Sequence, residues 1–194
     1  MRTRSSLRRR AAAVRLLAMD VDGVLTDGSI VLLKSGEEVK VWNVKDRIAF
    51  SMLEKSGRRF YVAWITGRAS AQVKARAEEL GVDALYQSCL DKRAALQDIL
   101  RRFRLTARQA LYIGDDLIDI AALKGAGLAV CPSDAVAEVK SVCSLVTRAP
   151  GGRGVFREAV DFVLRSQGLL RKVVAEFERP QSRLFKDAQG KKRR

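Results

Sequence analysis

Asp20 and Asp22 stand one residue apart at the close of the apolar run Val14 to Met19, and the chain continues Asp20-Val-Asp-Gly-Val-Leu-Thr-Asp-Gly28. One carboxylate of such a pair can attack an electrophile while its neighbour carries a proton. Two acids this close resist ionising together unless a cation lies between them, and a hard divalent ion such as Mg2+ takes oxygen ligands. An isolated Asp-x-Asp serves equally well as a strand-end cap or a solvated loop, so its meaning depends on the rest of the chain. The run Phe60 to Ile65 ends in Thr66-Gly67-Arg68, where a hydroxyl and free backbone N–H groups ahead of a helix either seat a phosphate or simply cap that helix. Lys92 opens another helical pattern, as an exposed lysine or as a phosphate contact. The run Ala110 to Ile113 ends in Gly114-Asp115-Asp116, with Asp119 one turn later. Three acids clustered after a buried strand favour a metal site.

These groups need a frame that brings strand ends together. Apolar runs closed by glycine or acidic residues read as buried parallel strands. They lie near 16–20, 60–65, 84–86, 110–113 and 128–131. Helical patterns fall at 46–56, 70–80, 91–102 and 117–125, and a further one carries Val155, Phe156, Val160, Val163 and Leu164. This alternation predicts an α/β fold: a Rossmann-like three-layer arrangement with a central parallel sheet and helices on both faces. Ligands bind such sheets at the carboxyl ends of the strands, which is where every group above falls. The alternation breaks between Gly28 and Asn43, where two short β-rich runs flank Gly36. This predicts a small β-hairpin flap over about 28–43, and no segment is long enough for a large cap domain.

The ordered set of Asp20 and Asp22, Thr66, Lys92 and the late acids resembles the haloacid dehalogenase-like phosphohydrolases. Several motifs narrow this: Asn43-Val-Lys-Asp46, Ile65-Thr-Gly-Arg68, Arg76-Ala77, Leu85-Tyr-Gln87, Asp91-Lys92, Tyr112-Ile-Gly-Asp-Asp116 and Gly151-Gly-Arg-Gly154. Together they resemble the capless 3-deoxy-D-manno-octulosonate 8-phosphate phosphatase family over roughly residues 16–168. The resemblance implies a Mg2+-dependent phosphatase acting on that sugar-acid phosphate in lipopolysaccharide synthesis. Asp20 would be the nucleophile and Asp22 the general acid and base. Thr66, Gly67 and Lys92 would hold the phosphoryl group. Asp20, the backbone carbonyl of Asp22, and Asp115 would hold Mg2+, with Asp116 and Asp119 orienting the metal water or Lys92.

The resemblance also makes Arg68, Arg76 and Arg153 candidates for contacts to the substrate. It implies a homotetramer in which a neighbouring subunit covers the site. A phosphatase of the same chemistry acting on a nine-carbon sugar acid, and a catalytically weakened binding protein, remain alternatives. Ile118 bears on the second, because an apolar side chain inside the acidic cluster offers a cation nothing. Arg47 stands where the family usually has glycine, beside the expected site entrance.

The chain carries 37 Lys and Arg against 22 Asp and Glu, a net charge of +15. Much of that excess is terminal. Residues 1–15 hold six Arg and no acid, and residues 171–194 hold nine Lys and Arg against three acids. The expected organisation is a basic, disordered tail over 1–15, the phosphatase domain over 16–170 and a basic extension over 171–194. No nucleic-acid partner is expected. The basic start is not a convincing leader, because Arg15 interrupts the apolar run that leads straight into Asp20, and no stretch suits a membrane span. Cys89, Cys131 and Cys143 lack metal-ligand spacing and are expected as free buried thiols in a reducing cytoplasm. The absence of histidine excludes imidazole catalysis and histidine ligands.

Overall fold

The computed structural model describes residues 4–179. Six parallel strands form the central sheet: β1 (Leu16–Met19), β4 (Tyr61–Ile65), β5 (Ala84–Tyr86), β6 (Ala110–Ile113), β7 (Leu128–Cys131) and β8 (Leu145–Val146). Their order is β5-β4-β1-β6-β7-β8. Leu16 pairs with Tyr61 on one side and Ala110 on the other. The chain therefore builds outward from β1 through β4 to β5, then returns to β6 on the opposite side of β1. The crevice beyond β1 and β6 is the topological switch point, where open α/β sheets bind ligands. Asp20 leaves one of these strands and Asp115 the other.

Strand residues alternate between two cores. Leu17, Met19, Val62, Trp64, Leu111 and Ile113 face one side. There they meet α1 (Arg4–Ala12), α2 (Val44–Lys55), α3 (Ala71–Leu80), α7 (Val155–Ser166) and α8 (Leu170–Glu178). Leu16, Ala18, Ala63, Ile65, Ala110 and Tyr112 face the other. There they meet α4 (Lys92–Arg102), α5 (Ile120–Gly125) and α6 (Ala137–Val142). Near-continuous apolar strands follow from this double burial. The expected three layers are present, and the expected helix over 117–125 begins as a 3-10 turn, Leu117–Asp119, before α5.

The flap is a two-stranded antiparallel hairpin, β2 (Val31–Leu32) with β3 (Glu38–Val39), shorter than the runs that predict it. It has its own small sheet, so its backbone does not extend the central one. Its outer side chains Ile30, Val31, Leu32, Leu33, Val39 and Val41 are exposed, Leu32 at 66%.

The N-terminus differs from expectation. Residues 4–12 form α1, not a disordered tail. The charge count conceals an anchor: Ala11 and Val14 are fully buried, and Gln167 Nε2 donates to the carbonyls of Ala11 (3.2 Å) and Val14 (3.0 Å). Arg10 is also engaged, donating to Ser144 Oγ at 2.7 Å and to the Gly127 carbonyl. Arg9 and Arg10 occupy the last turn, where cations complement the helix dipole. The proposed C-terminal extension begins as the helix α8, pinned by buried Val173. Its remainder over 180–194 lies outside the described residues. The cysteines are free, but only Cys131 is buried; Cys89 and Cys143 are half-buried. Among the described residues no helix is long and apolar enough to cross a membrane.

Candidate active site

The strand ends deliver the carboxylates to one point. Oxygens of Asp20, Asp115 and Asp119 can all lie within 4.8 Å of one another. Lys92, the first residue of α4, is buried between two of them, with Nζ 2.7 Å from Asp20 Oδ2 and 2.8 Å from Asp119 Oδ1. Asp119 is saturated. Its Oδ1 also accepts from the Tyr112 hydroxyl at 2.9 Å, and its Oδ2 accepts the backbone N–H groups of Asp115 (3.2 Å) and Asp116 (3.4 Å). Asp116 is exposed and turns back to cap Leu117 N–H. Asp115 is different: its Oδ1 is buried and has no hydrogen-bond partner.

Burial and the charge of Asp119 push the Asp20 carboxyl up to about 7, against the pull of Lys92. Burial and the neighbouring carboxylates of Asp20 and Asp119 push Asp115 up to about 7 as well. Both effects describe a cluster short of positive charge. The all-carboxylate donor set and the orphaned Asp115 oxygen suit a hard divalent cation.

Gly23 makes this approach possible. Its φ is +86°, and a Cβ there would lie 2.0 Å from Asp115 Oδ2. A side chain would therefore displace the acid that most needs the cation.

Thr66 is buried after β4, and its Oγ1 accepts the Arg68 backbone N–H at 3.3 Å. The Ile118 Cδ1 lies 3.7 Å from the place a Gly67 Cβ would occupy. Ile118 thus leans over the Thr66–Gly67 turn, half exposed, while Asp119 alone turns inward.

Asp22 is tied to the flap. Lys40, whose side chain is 1% exposed, ion-pairs with Asp22 Oδ1 and, at 2.7 Å, with Glu38 Oε1. Glu38 Oε2 in turn pairs with Arg68 Nη2 at 2.9 Å. Thr26 Oγ1 also donates to Asp22 Oδ1, at 3.4 Å. Burial opposes the Lys40 charge, yet Asp22 and Glu38 hold its ammonium above the ordinary range. Lys40 and Glu38 are residues that sequence reasoning missed. Their local signal is weak, because Lys34 and Glu37 are charged residues of the same hairpin.

Two motifs interlock beside the nucleophile loop. Asn43 caps α2 by accepting Lys45 N–H and donates from Nδ2 to the Gly152 carbonyl at 3.1 Å. Asp46 is buried and accepts the Arg157 N–H at 2.9 Å, at the start of α7. Burial raises the Asp46 carboxyl to about 6. Gly151 presses so close that a Cβ there would stand 2.2 Å from the Gly23 carbonyl oxygen. The exposed Arg153 follows on the rim, near enough to Asp27 for their charges to interact. Asn43-Val-Lys-Asp46 and Gly151-Gly-Arg-Gly154 therefore clamp the loop that carries Asp20 and Asp22.

The expected arginines are dispersed. Arg68 reaches the flap. Arg76 pairs with Glu79 at 2.6 Å and lies 6.0 Å over the Trp42 ring, with no recorded contact to the carboxylate cluster. Arg47 is exposed on α2 and lines a cavity of about 690 Å³ with Phe50, Glu54, Arg58 and Asp83, apart from the carboxylates.

Known proteins resemble this chain in sequence and fold. Residues 84–158 match the haloacid dehalogenase-like hydrolase family. The chain is 42% identical over 161 residues to the 3-deoxy-D-manno-octulosonate 8-phosphate phosphatase KdsC of Yersinia pestis, covering 83% of this chain and 85% of that protein. It is 40% identical to the Escherichia coli K12 protein of the same name, with the same coverage. Among solved structures, the Moraxella catarrhalis 3-deoxy-D-manno-octulosonate 8-phosphate phosphatase, in complex with magnesium ion, phosphate ion and KDO, superposes with a TM-score of 0.86 at 34% identity. That match covers 90% of this chain and 99% of the other.

Proposed function

Because the chain belongs to the 3-deoxy-D-manno-octulosonate 8-phosphate phosphatase family of haloacid dehalogenase-like hydrolases, we propose that it hydrolyses that sugar-acid phosphate to the free sugar acid and phosphate. It is a phosphoric monoester hydrolase by family, and Mg2+ is its cofactor. The observation that supports this reading most is the carboxylate cluster: buried Asp20 against Lys92, beside an Asp115 oxygen with no partner.

Asp20 attacks phosphorus, and the bond from phosphorus to the sugar oxygen breaks as Asp22 gives that oxygen its proton. Asp22, now a carboxylate, takes a proton from the water that hydrolyses the aspartyl-phosphate and frees phosphate. Thr66, the Gly67 N–H and Lys92 hold the transferring oxygens, where fixed charge and donors give most of the acceleration. Asp119 fixes Lys92 and the Asp115–Asp116 turn through the contacts above. Asp20, Asp115 and the Asp22 carbonyl would hold Mg2+, which when bound neutralises charge on the phosphoryl oxygens and on Asp20. Arg153, on the rim, is a candidate for the substrate carboxylate, which an arginine fork recognises well, and Arg68 is a second that would have to share or leave its pair with Glu38. Arg76 would reach substrate only by leaving Glu79.

The active assembly is a homotetramer in which a neighbour completes the cover. The supporting observation is the apolar flap, whose outward side chains from Ile30 to Leu33 are exposed beside the site. Free thiols fit a cytoplasmic setting.

The reading is tested by comparing kcat/KM for the eight-carbon substrate with a nine-carbon acylneuraminate-type phosphate. A clear preference for the eight-carbon ester supports it. Equal or reversed preference keeps the chemistry and discards the substrate.

A further inference from the structure

The flap does more than cover the site. It carries the Lys40 ammonium into a buried position against Asp22, the residue that must protonate the departing sugar oxygen. Two features mark this contact as built. Lys40 stands between Val39 and Val41, which are both exposed, yet its own side chain is 1% exposed. Its second partner, Glu38, is itself held by Arg68 from the turn after β4. The chain of contacts Asp22–Lys40–Glu38–Arg68 thus ties the nucleophile loop, the flap and the phosphate turn together.

We propose that Lys40 is a positioning residue for the reaction: it holds one oxygen of Asp22 so that the other faces the leaving group. This rests on the phosphatase reading. A carboxylate pinned through one oxygen keeps the other in reach of the atom that takes its proton, and general acid catalysis depends on that reach. The benefit goes to esters whose leaving oxygen needs a proton. A sugar alkoxide needs one; p-nitrophenolate leaves without one. Methionine at position 40 keeps the length and apolar stem and removes the charge. Arginine restores the charge.

The test is steady-state kinetics of Lys40→Met and Lys40→Arg with Mg2+, on 3-deoxy-D-manno-octulosonate 8-phosphate and on p-nitrophenyl phosphate. The quantity kcat/KM reports steps up to formation of the phosphoenzyme, where Asp22 acts as acid. General acid catalysis contributes about 100-fold or more. Lys40→Met is therefore expected to lose about that much on the sugar phosphate, mainly in kcat, and far less on the aryl ester, with Lys40→Arg recovering most of the loss. Equal losses on both esters, or none on either, would overturn the assignment. So would a rise in KM at unchanged kcat, which would make Lys40 a substrate contact. Should Lys40→Met fail to fold, Glu38→Gln loosens the same lysine, and a loss confined to the sugar phosphate is again expected. Wild-type protein inert toward both esters would overturn the phosphatase reading itself and this proposal with it.

Discussion

Replacing Gly23 by alanine tests the geometry of the metal cradle with the smallest possible side chain. At φ +86° an L-residue is strained by about 1–2 kcal/mol. In a domain of this size, 1 kcal/mol lowers Tm by about 2–4 °C, so strain alone predicts a fall of about 2–8 °C. The larger effect is local. The new Cβ would lie 2.0 Å from Asp115 Oδ2, where ordinary contact begins at 3.4 Å. The carboxylate must therefore retreat by about 1.4 Å, well beyond the ~0.5 Å within which functional geometry must be held. Gly23→Ala is expected to fold and to need at least tenfold more Mg2+ for half-maximal phosphate release, with kcat reduced at saturation. The assay is phosphate release across a Mg2+ titration, alongside thermal melting with and without the ion. Wild-type Mg2+ dependence and wild-type kcat in a folded Gly23→Ala protein would refute the placement of Asp115 in the cradle.

Other perturbations probe the rest of the account. Lys92→Ala leaves Asp20 and Asp119 buried without their cation, so activity falls by about 100- to 1,000-fold, and stability falls by about 3–5 kcal/mol, as read by chemical denaturation. Asp46 is held at about 6, above its ordinary 3.8. Its contribution to stability is therefore present below the ordinary value and lost as pH rises through 6. The gap corresponds to at most about 3 kcal/mol, and Asp46→Asn should gain on wild type between pH 4 and pH 7.5; a constant difference across that range would contradict the burial argument. Leu32→Asp, at a 66% exposed flap position, should leave the monomer folded and disperse the tetramer in sedimentation, with phosphate release reduced. An unaltered sedimentation coefficient would remove the flap from the proposed interface.

The sheet was legible because its strands are buried on both faces. Runs such as Leu16–Met19 and Ala110–Ile113 are apolar throughout and stop at acids, so elements and candidate site residues surfaced together. Long-range pairing was not legible. Lys40 meets Asp22 across 18 positions through a hairpin, and Asp46 meets the start of α7 across 111. No local pattern encodes either contact. Charge counting misjudged α1, because a count cannot register that Ala11 and Val14 fill the core or that Arg10 spends its donors on Gly127 and Ser144. The roles of Asp115 and Asp119 separated only when their partners were visible: Asp119 has both oxygens engaged, and Asp115 has a buried oxygen without a partner.

The most direct test of the central claim is phosphate release from 3-deoxy-D-manno-octulosonate 8-phosphate by the full chain with Mg2+, beside an EDTA control and the Asp20→Asn variant. The account predicts turnover that requires both the metal and the Asp20 carboxylate. Release that survives EDTA or Asp20→Asn, or no release by the wild-type protein, would contradict it.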